Sequence, residues 1–385
     1  MRNNKEIEGK VVADTVTAAI HLISHDLPLF TDHFKIDGSV DNFYEPKENI
    51  SWTSGFWTGQ LWLAYEFTGD IRFRKAAEKQ VESFRYRIQH QLGTDHHDMG
   101  FLYSLSCVAS YKLTGSQQAR DAAVMAARQL ISRYQPKGRF IQAWGKVGAV
   151  DQNRLIIDCL MNLPLLYWAY EVTREEQFAN IARAHIDTSL PVIMRENHST
   201  YHTYYFDPDT GRPLYGETTQ GYSNESSWAR GQAWGIYGTA LSFKYTAKDD
   251  YKRSFYAITD YFIERLPRDH VPYWDLDFTE ASNEPKDSSA AAIAVCGMLE
   301  MAKYLDQDKS AYYTGIANQI LASLIDHYRV TDPKASNGLL LHGVYAKKSP
   351  FNPCQDNAVD ECTIWGDYFY LEALMRVSSD WGLYW

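Results

Sequence analysis

Helices of two kinds alternate along this chain, and the alternation narrows the folds open to it. Residues 71–91, IRFRKAAEKQVESFRYRIQHQ, are amphipathic and heavily charged, as suits a helix with one face in water. Residues 98–115 (DMGFLYSLSCVASYKLTG) and 287–305 (DSSAAAIAVCGMLEMAKYL) are apolar or small on nearly all faces, and so is the stretch 153–172. A helix of the second kind must be enclosed. The hydrophobic pattern predicts helices at about 9–26, 53–69, 71–91, 98–115, 117–135, 153–172, 175–194, 225–246, 249–266, 287–305, 309–328 and 363–377, with no sustained strand alternation. Pairs are joined by related turns: Tyr65-Glu-Phe-Thr-Gly-Asp70, Tyr111-Lys-Leu-Thr-Gly-Ser116, Tyr170-Glu-Val-Thr-Arg-Glu175 and, more loosely, Phe243-Lys-Tyr-Thr-Ala-Lys248. Gly69 and Gly115 suit the left-handed position that ends a helix, and the residue after each can cap the next one. About six enclosed helices alternating with about six half-exposed ones describe an inner ring within an outer ring. The expected fold is an all-α (α/α)6 barrel, a single domain over residues 1–385. An open helical solenoid is the alternative, and it would leave both helices of each pair partly wet.

Of the 385 residues, 14% are aromatic, with 27 Tyr and 11 Trp. So many rings fill a large core or line a cleft, where a flat apolar face with a polar edge matches a sugar. The formal net charge of −10 argues against nucleic acid, which needs a basic footprint. The start, MRNNKEIEGKVV, has no apolar signal core, and the most apolar stretch, Leu155 to Val172, contains Asp158, Asn162, Pro164 and Glu171. That stretch reads as a buried helix, so no membrane association and a cytoplasmic location are expected. Cys107, Cys159 and Cys296 read as small core residues; Cys354 and Cys362 could pair across a loop, but there is no disulfide framework.

Unusual polar and aromatic residues gather at the starts of the even-numbered helices. Trp52 and Trp57 open the second, His96-His97-Asp98 the fourth, Asp158 lies early in the sixth, Arg230 and Trp234 in the eighth, and Trp365-Gly-Asp367 in the twelfth. If the even helices form the inner ring, these residues meet at one mouth of the barrel, as a binding site requires. Asp158 stands in Leu-Ile-Ile-Asp-Cys-Leu-Met-Asn-Leu-Pro-Leu-Leu, where a solvated carboxylate has no place. Burial disfavours the charged form and makes such a group a candidate general acid. The competing reading is a structural Asp tied to Arg or to backbone amides. Asp98 is equally a helix N-cap. Two carboxylates on one cavity push their pKa values apart, leaving one acid and one base or charge stabiliser. His96, His97 and Asp98 lack a matching second pair of ligands, so neither a metal nor another cofactor is expected. His202, in the aromatic loop Tyr201–Asp207, is structural or a polar contact. No phosphate loop, dinucleotide fingerprint, nucleophile elbow or zincin helix is present.

Taken together, the chain resembles the unsaturated glucuronyl hydrolases of glycoside hydrolase family 88. The resemblance rests on Trp52-Thr-Ser-Gly-Phe-Trp57, Asp95-His-His-Asp-Met-Gly-Phe-Leu-Tyr-Ser104, Gln142-Ala-Trp-Gly145 and Ile156-Ile-Asp-Cys-Leu-Met-Asn-Leu-Pro-Leu165. It continues through Tyr201-His-Thr-Tyr-Tyr-Phe-Asp207, Trp228-Ala-Arg-Gly-Gln-Ala-Trp-Gly-Ile-Tyr237, Tyr273-Trp-Asp275, Asp287-Ser-Ser-Ala290 and Ile364-Trp-Gly-Asp-Tyr-Phe-Tyr-Leu-Glu-Ala373. It implies an (α/α)6 barrel, Asp158 as acid/base and Asp98 as a second essential aspartate. It also implies that Trp52, His97, Trp144, His202, Gln220, Arg230, Trp234 and Tyr345 surround an unsaturated sugar.

The implied substrate is a lyase-generated oligosaccharide whose terminal uronic acid has a C4=C5 double bond, with a glycosaminoglycan disaccharide the expected form. The implied reaction protonates C4, lets water attack C5 and releases the sugar through a hemiketal. Family members that accept sulfated disaccharides share a Ser-x-x-Ser-x-Lys loop. Here Ala346-Lys-Lys-Ser-Pro-Phe351 keeps only Ser349, and Lys347 and Lys348 either supply charge or are solvated. Three rivals stand beside this reading. An unsaturated rhamnogalacturonyl hydrolase shares the fold and the chemistry. A sugar 2-epimerase would use His97 and His202 but leave Asp158 unexplained, and a non-catalytic sugar-binding protein has no use for a buried acid.

Overall fold

A computed structural model describes residues 2–349 and 354–385. Twelve helices, counted among these residues, carry the architecture: α1 (Arg2–Phe30), α2 (Ser54–Thr68), α3 (Ile71–Gln89), α4 (99–114), α5 (Gln117–Ile131), α6 (Leu163–Thr173), α7 (Glu176–Ile193), α8 (Ala229–Thr246), α9 (Asp249–Glu264), α10 (Ser288–Ala302), α11 (Gln307–Ser323) and α12 (Ile364–Ser378). The even helices pack each against the next, and α12 returns to α2, which closes the ring and excludes an open solenoid. Of the eighteen residues of α8, every one up to Phe243 is buried, and α10 is buried from Ser288 to Met298. The odd helix α3 buries only one stripe, Phe73, Ala76, Ala77, Gln80, Val81, Phe84, Arg87 and Ile88. The fold is therefore the expected (α/α)6 barrel.

The repeated turns share one construction. Gly69, Gly115, Arg174 and Ala247 take φ of 69°, 74°, 64° and 53°, and each N–H reaches back to Tyr65, Tyr111, Tyr170 or Phe243. In every copy the Thr hydroxyl donates to the carbonyl four residues earlier, at 2.6–2.8 Å. The same oxygen accepts the N–H two residues later, at 3.1–3.3 Å. Threonine thus ends the inner helix and starts the connection, which is why it persists in the copies that lack glycine.

Two expectations need correction. Residues 153–172 are not one helix: a short strand, β3 (Arg154–Ile156), and a 3₁₀ turn (Ile157–Met161) precede α6. Pro164 lies in the first turn of α6, where a proline disfavours helical geometry in the residue before it. Asp158 therefore sits on a tight turn, not in a helix. Helix α4 is likewise interrupted by a π-helical turn, Ser104–Val108. Seven strands of two to five residues also occur among the described residues: β1 (Tyr134–Gln135), β2 (Phe140–Ile141), β3, β4 (Thr203–Phe206), β5 (Pro213–Glu217), β6 (Gly343–Val344) and β7 (Val359–Glu361). They are too short for a period of two to register in the sequence. The antiparallel sheet β3-β4-β5 matters most, because Ile157 N–H donates to His202 O at 3.0 Å and so sets Asp158 beside His202.

The barrel axis is filled, not open. Trp385, fully buried, stacks on Phe369 (5.9 Å between centroids, 8° between planes) and meets Phe101 edge-on. Phe369 and Phe101 in turn touch Trp234, at 5.6 and 5.2 Å. The aromatic column runs from the 379–385 segment up to the floor of the cluster described next.

Candidate active site

The two aspartates are brought together by Asn162. Its side-chain oxygen accepts the Phe101 N–H at the start of α4 (2.9 Å), and its amide donates to the Asp158 carbonyl (3.1 Å). Gly100 makes the approach possible, since a Cβ there would lie 2.6 Å from the Asn162 backbone. Asp98 occupies the N-cap position of α4, yet its side chain makes no cap hydrogen bond. Its oxygens face His97 Nε2 (3.3 Å) and His96 Nδ1 (3.5 Å) instead. The structure therefore rejects the cap reading.

Their electrostatics diverge. Burial, then the neighbouring charge of Asp98, push the Asp158 carboxyl up to about 7; Arg230, the backbone and the Trp234 indole offset part of that rise. Burial also works to raise Asp98, but His97, His96 and Asn162 outweigh it and hold the group below the usual carboxylate range. One acid is kept protonated near neutrality beside one kept ionised. His97 and His202 are held down to about 4 and about 3, chiefly by burial, so both rings are neutral.

Facing Asp158 is a polar chain. His202 Nε2 lies 3.9 Å from Asp158 Oδ1. The Gln220 amide nitrogen is 3.3 Å from the same ring nitrogen, and His202 Nδ1 is 2.7 Å from Thr203 Oγ1. Arg230, almost fully buried, donates to Gln220 Oε1 (3.3 Å), to the carbonyls of Val344 and Tyr345, and to Asp287 Oδ2 (3.5 Å). Its guanidinium lies between the Trp228 and Trp365 rings, 4.5 and 4.7 Å from their centroids.

Aromatic surfaces complete the cluster. Trp52 stacks on Trp365 (5.5 Å, 22°) and donates its indole N–H to the Tyr345 hydroxyl at 2.9 Å. Trp144, 37% exposed, stacks on His96 (4.4 Å, 9°). Arg133 fixes that edge by bonding the carbonyls of Asp95, Gln142 and Gly145. Asp158 Oδ1, His97 Nδ1 and Trp234 Nε1 are buried without a hydrogen-bond partner among the described residues. Buried polar atoms are rarely left so, and these three stand open to a ligand's hydrogen bonds.

All ten residues singled out from the sequence thus join one cluster. Reasoning from the residues missed Asn162, His96 as a partner of Asp98, Asp287, Trp228 and the part played by Trp365. An Asn inside an apolar run was the available signal for Asn162. Lys347 is paired with Glu284 at 2.6 Å, and Lys348 donates to the Tyr222 carbonyl at 3.3 Å; Pro350 and Phe351 lie outside the described residues. No group of three or more His, Cys, Asp or Glu that could hold a metal occurs among the described residues, and no helix there is long and apolar enough to cross a membrane. Two shallow cavities, of about 280 Å³ around Asn153 and Asp207 and about 380 Å³ around Lys286 and His342, share none of the ten residues.

Known proteins match both the sequence and the fold. The model of Glycosyl Hydrolase Family 88 matches residues 30–350. An unsaturated chondroitin disaccharide hydrolase of Streptococcus pneumoniae (strain ATCC BAA-255 / R6) is 47% identical over 379 residues, covering 97% of this chain and 94% of that protein. The crystal structure of unsaturated glucuronyl hydrolase from Streptococcus agalactiae superposes with a TM-score of 0.91 at 47% identity, covering 97% of this chain and 94% of that one. A mutant of the S. agalactiae enzyme complexed with dGlcA-GalNAc6S gives a TM-score of 0.84 at 43% identity, over 98% of this chain and 93% of that one. With the family model spanning most of the chain, and relatives of this identity along nearly all of it, the chain belongs to glycosyl hydrolase family 88 and is a glycoside hydrolase.

Proposed function

We propose that the enzyme removes the 4,5-unsaturated uronic acid from the non-reducing end of lyase-generated glycosaminoglycan disaccharides, by hydrating its C4=C5 bond. The double bond and the ring oxygen form a vinyl ether. Neutral Asp158 gives its proton to C4, and the positive charge that results is shared between C5 and the ring oxygen. Water, placed by His202 and Gln220, bonds to C5 and returns a proton to Asp158. The hemiketal opens, and collapse at C1 breaks the glycosidic bond. Asp98 holds ring hydroxyls and stabilises the cationic stage; Trp52, Trp144 and Trp234 give the ring flat walls, with His97, Arg230 and Tyr345 at its edges. The carrying observation is a carboxylic acid held protonated to about pH 7 beside an ionised one, with no second acid at nucleophile distance needed. Separation rules for two-carboxylate glycosidases therefore do not govern the outcome.

The substrate class follows the named relatives, which include chondroitin disaccharide hydrolases and a complex with a 6-sulfated disaccharide. Lys347 spends its charge on Glu284 and Lys348 is exposed, so we read neither lysine as a preformed sulfate site. A cytoplasmic location belongs to the same reading, since disaccharides are products small enough to be imported. Loss of ultraviolet absorbance from unsaturated chondroitin disaccharides, sulfated and unsulfated, tests both points. Turnover of the unsulfated form at a rate at least equal to the sulfated one is expected. Absence of turnover on every member of the panel, with an unsaturated rhamnogalacturonan product consumed instead, would overturn the substrate assignment.

A further inference from the structure

Arg230 carries five N–H donors and no acceptor, and this polarity propagates along the chain of contacts to the reacting water. Because Arg230 donates to Gln220 Oε1, the Gln220 amide must turn its NH2 toward His202 Nε2. That nitrogen must then accept, so the ring proton sits on Nδ1 and points at Thr203 Oγ1. His202 is neutral, so it has one lone pair in the plane of its ring, and that pair is the one set 3.9 Å from Asp158 Oδ1. The Gln220 amide holds that pair only at 3.3 Å, and a water placed beside both could take it over, meeting an acceptor on the ring and a donor on Gln220.

What holds Arg230 in this pose from behind is Asp287. Its Oδ2 takes Arg230 Nη1 at 3.5 Å, and its Oδ1 accepts the Ser289 N–H (3.1 Å) and hydroxyl (2.5 Å) as N-cap of α10. Ser289 Oγ in turn accepts the Trp365 indole N–H at 3.0 Å, beneath the ring on which Trp52 stacks. Asp287 is fully buried, and Arg230 is the only basic side chain with which it forms an ion pair among the described residues. A lone helix cap has no need of a buried charge, since Asn caps about as well as Asp.

We propose that Asp287 is a positioning residue for this reaction: by holding Arg230 it fixes the Gln220 amide, and through it the tautomer that His202 presents to the attacking water. The proposal rests on the hydration reading above.

The test is Asp287→Asn, which keeps the cap and removes the charge, with Asp287→Glu as the conservative partner. Two readouts apply. In ¹⁵N-labelled enzyme without substrate, the His202 signals, assigned with His202→Gln, are expected to report a protonated Nδ1 and a bare Nε2 in the wild type, and a mixture in Asp287→Asn. On the unsaturated disaccharide, kcat is expected to fall roughly 10- to 100-fold, as for a misplaced reacting group, with KM within about threefold of wild type. The basic limb of the kcat profile is expected to move to lower pH. Asp158 is faced by Asp98, Arg230 and the neutral His97 and His202, and an Arg230 charge no longer balanced by Asp287 favours its ionised form. Asp287→Glu is expected to recover part of kcat and the wild-type limb.

An Asp287→Asn enzyme with unchanged tautomer, limb and kcat per folded molecule would make Asp287 a helix cap alone and overturn the proposal. If that variant does not fold, Gln220→Glu replaces the donor toward His202 by an acceptor at constant size. A proton on His202 Nε2 is then expected, and an unchanged spectrum would overturn the relay. Failure of the hydration reading would instead show as an unconsumed disaccharide in the wild type with the His202 tautomer intact.

Discussion

Asp158 and Asp98 are both buried carboxylates, yet their surroundings drive them in opposite directions, and pH separates the two. As the proton donor, Asp158 works in its neutral form, so kcat is expected to decline as pH rises through about 7. Asp98→Asn removes the second-largest push on Asp158, and the basic limb of that variant is expected at lower pH, measured by the same profile. Stability has its own sign. The folded Asp158 carboxyl titrates at about 7 and the unfolded one near 3.8, so the native state loses stability as pH climbs between those values and keeps the loss above them. Asp158→Asn is therefore expected to unfold at higher denaturant than wild type at pH 8 and to match it at pH 4; the reverse order would contradict a protonated native acid. Of this site, Asp158 was legible from its apolar neighbours alone. Asp98 alone reads as a cap, and only the inner-ring pattern and the resemblance set it apart, because its partners include Asn162, sixty-four residues on. Asp287 stood out only within the motif Asp287-Ser-Ser-Ala290, since its pairing with Arg230 spans 57 residues of sequence.

Between residues and barrel, short irregular elements decide where the chemistry sits. The even helices were readable from enclosure and the turns from their repeated Thr, whose two hydrogen bonds recur in all four copies. The 3₁₀ turn under Asp158 was not read, although Pro164 announced a break, because the apolar run continues through it. Contact between that turn and α4 relies on Gly100. Gly100→Ala is expected to force the Asn162 backbone away, lowering kcat by more than tenfold while thermal unfolding shows a destabilisation of about 1–3 kcal/mol. Gly115→Ala is the contrasting case: its added Cβ meets nothing within 4 Å, so only the left-handed backbone is penalised. A loss of about 1 kcal/mol in urea unfolding, with activity per folded molecule unchanged, is expected there.

Across the whole molecule, the closed inner ring leaves an axis that side chains must fill, and the sequence pattern foretold the ring without showing its filling. Trp385 reaches the axis from outside any helix, through packing that no periodicity records. Its indole N–H donates to Glu372 at 2.9 Å, and Tyr245 OH donates to its carbonyl at 2.8 Å. Trp385→Ala is expected to destabilise the fold by about 3–5 kcal/mol. Because Phe101 and Phe369 lie between this ring and Trp234, KM for the disaccharide is expected to rise as well; an unaltered KM would separate the column from the site.

Asp158 as the donor of a proton to carbon is the step on which turnover depends. Ultraviolet absorbance of an unsaturated chondroitin disaccharide, followed with wild-type enzyme and with Asp158→Asn, reads that step directly. Wild type is expected to bleach the chromophore, and Asp158→Asn, folded and still binding the disaccharide, to do so about 10² to 10⁴ times more slowly. Bleaching by Asp158→Asn at close to the wild-type rate would contradict it.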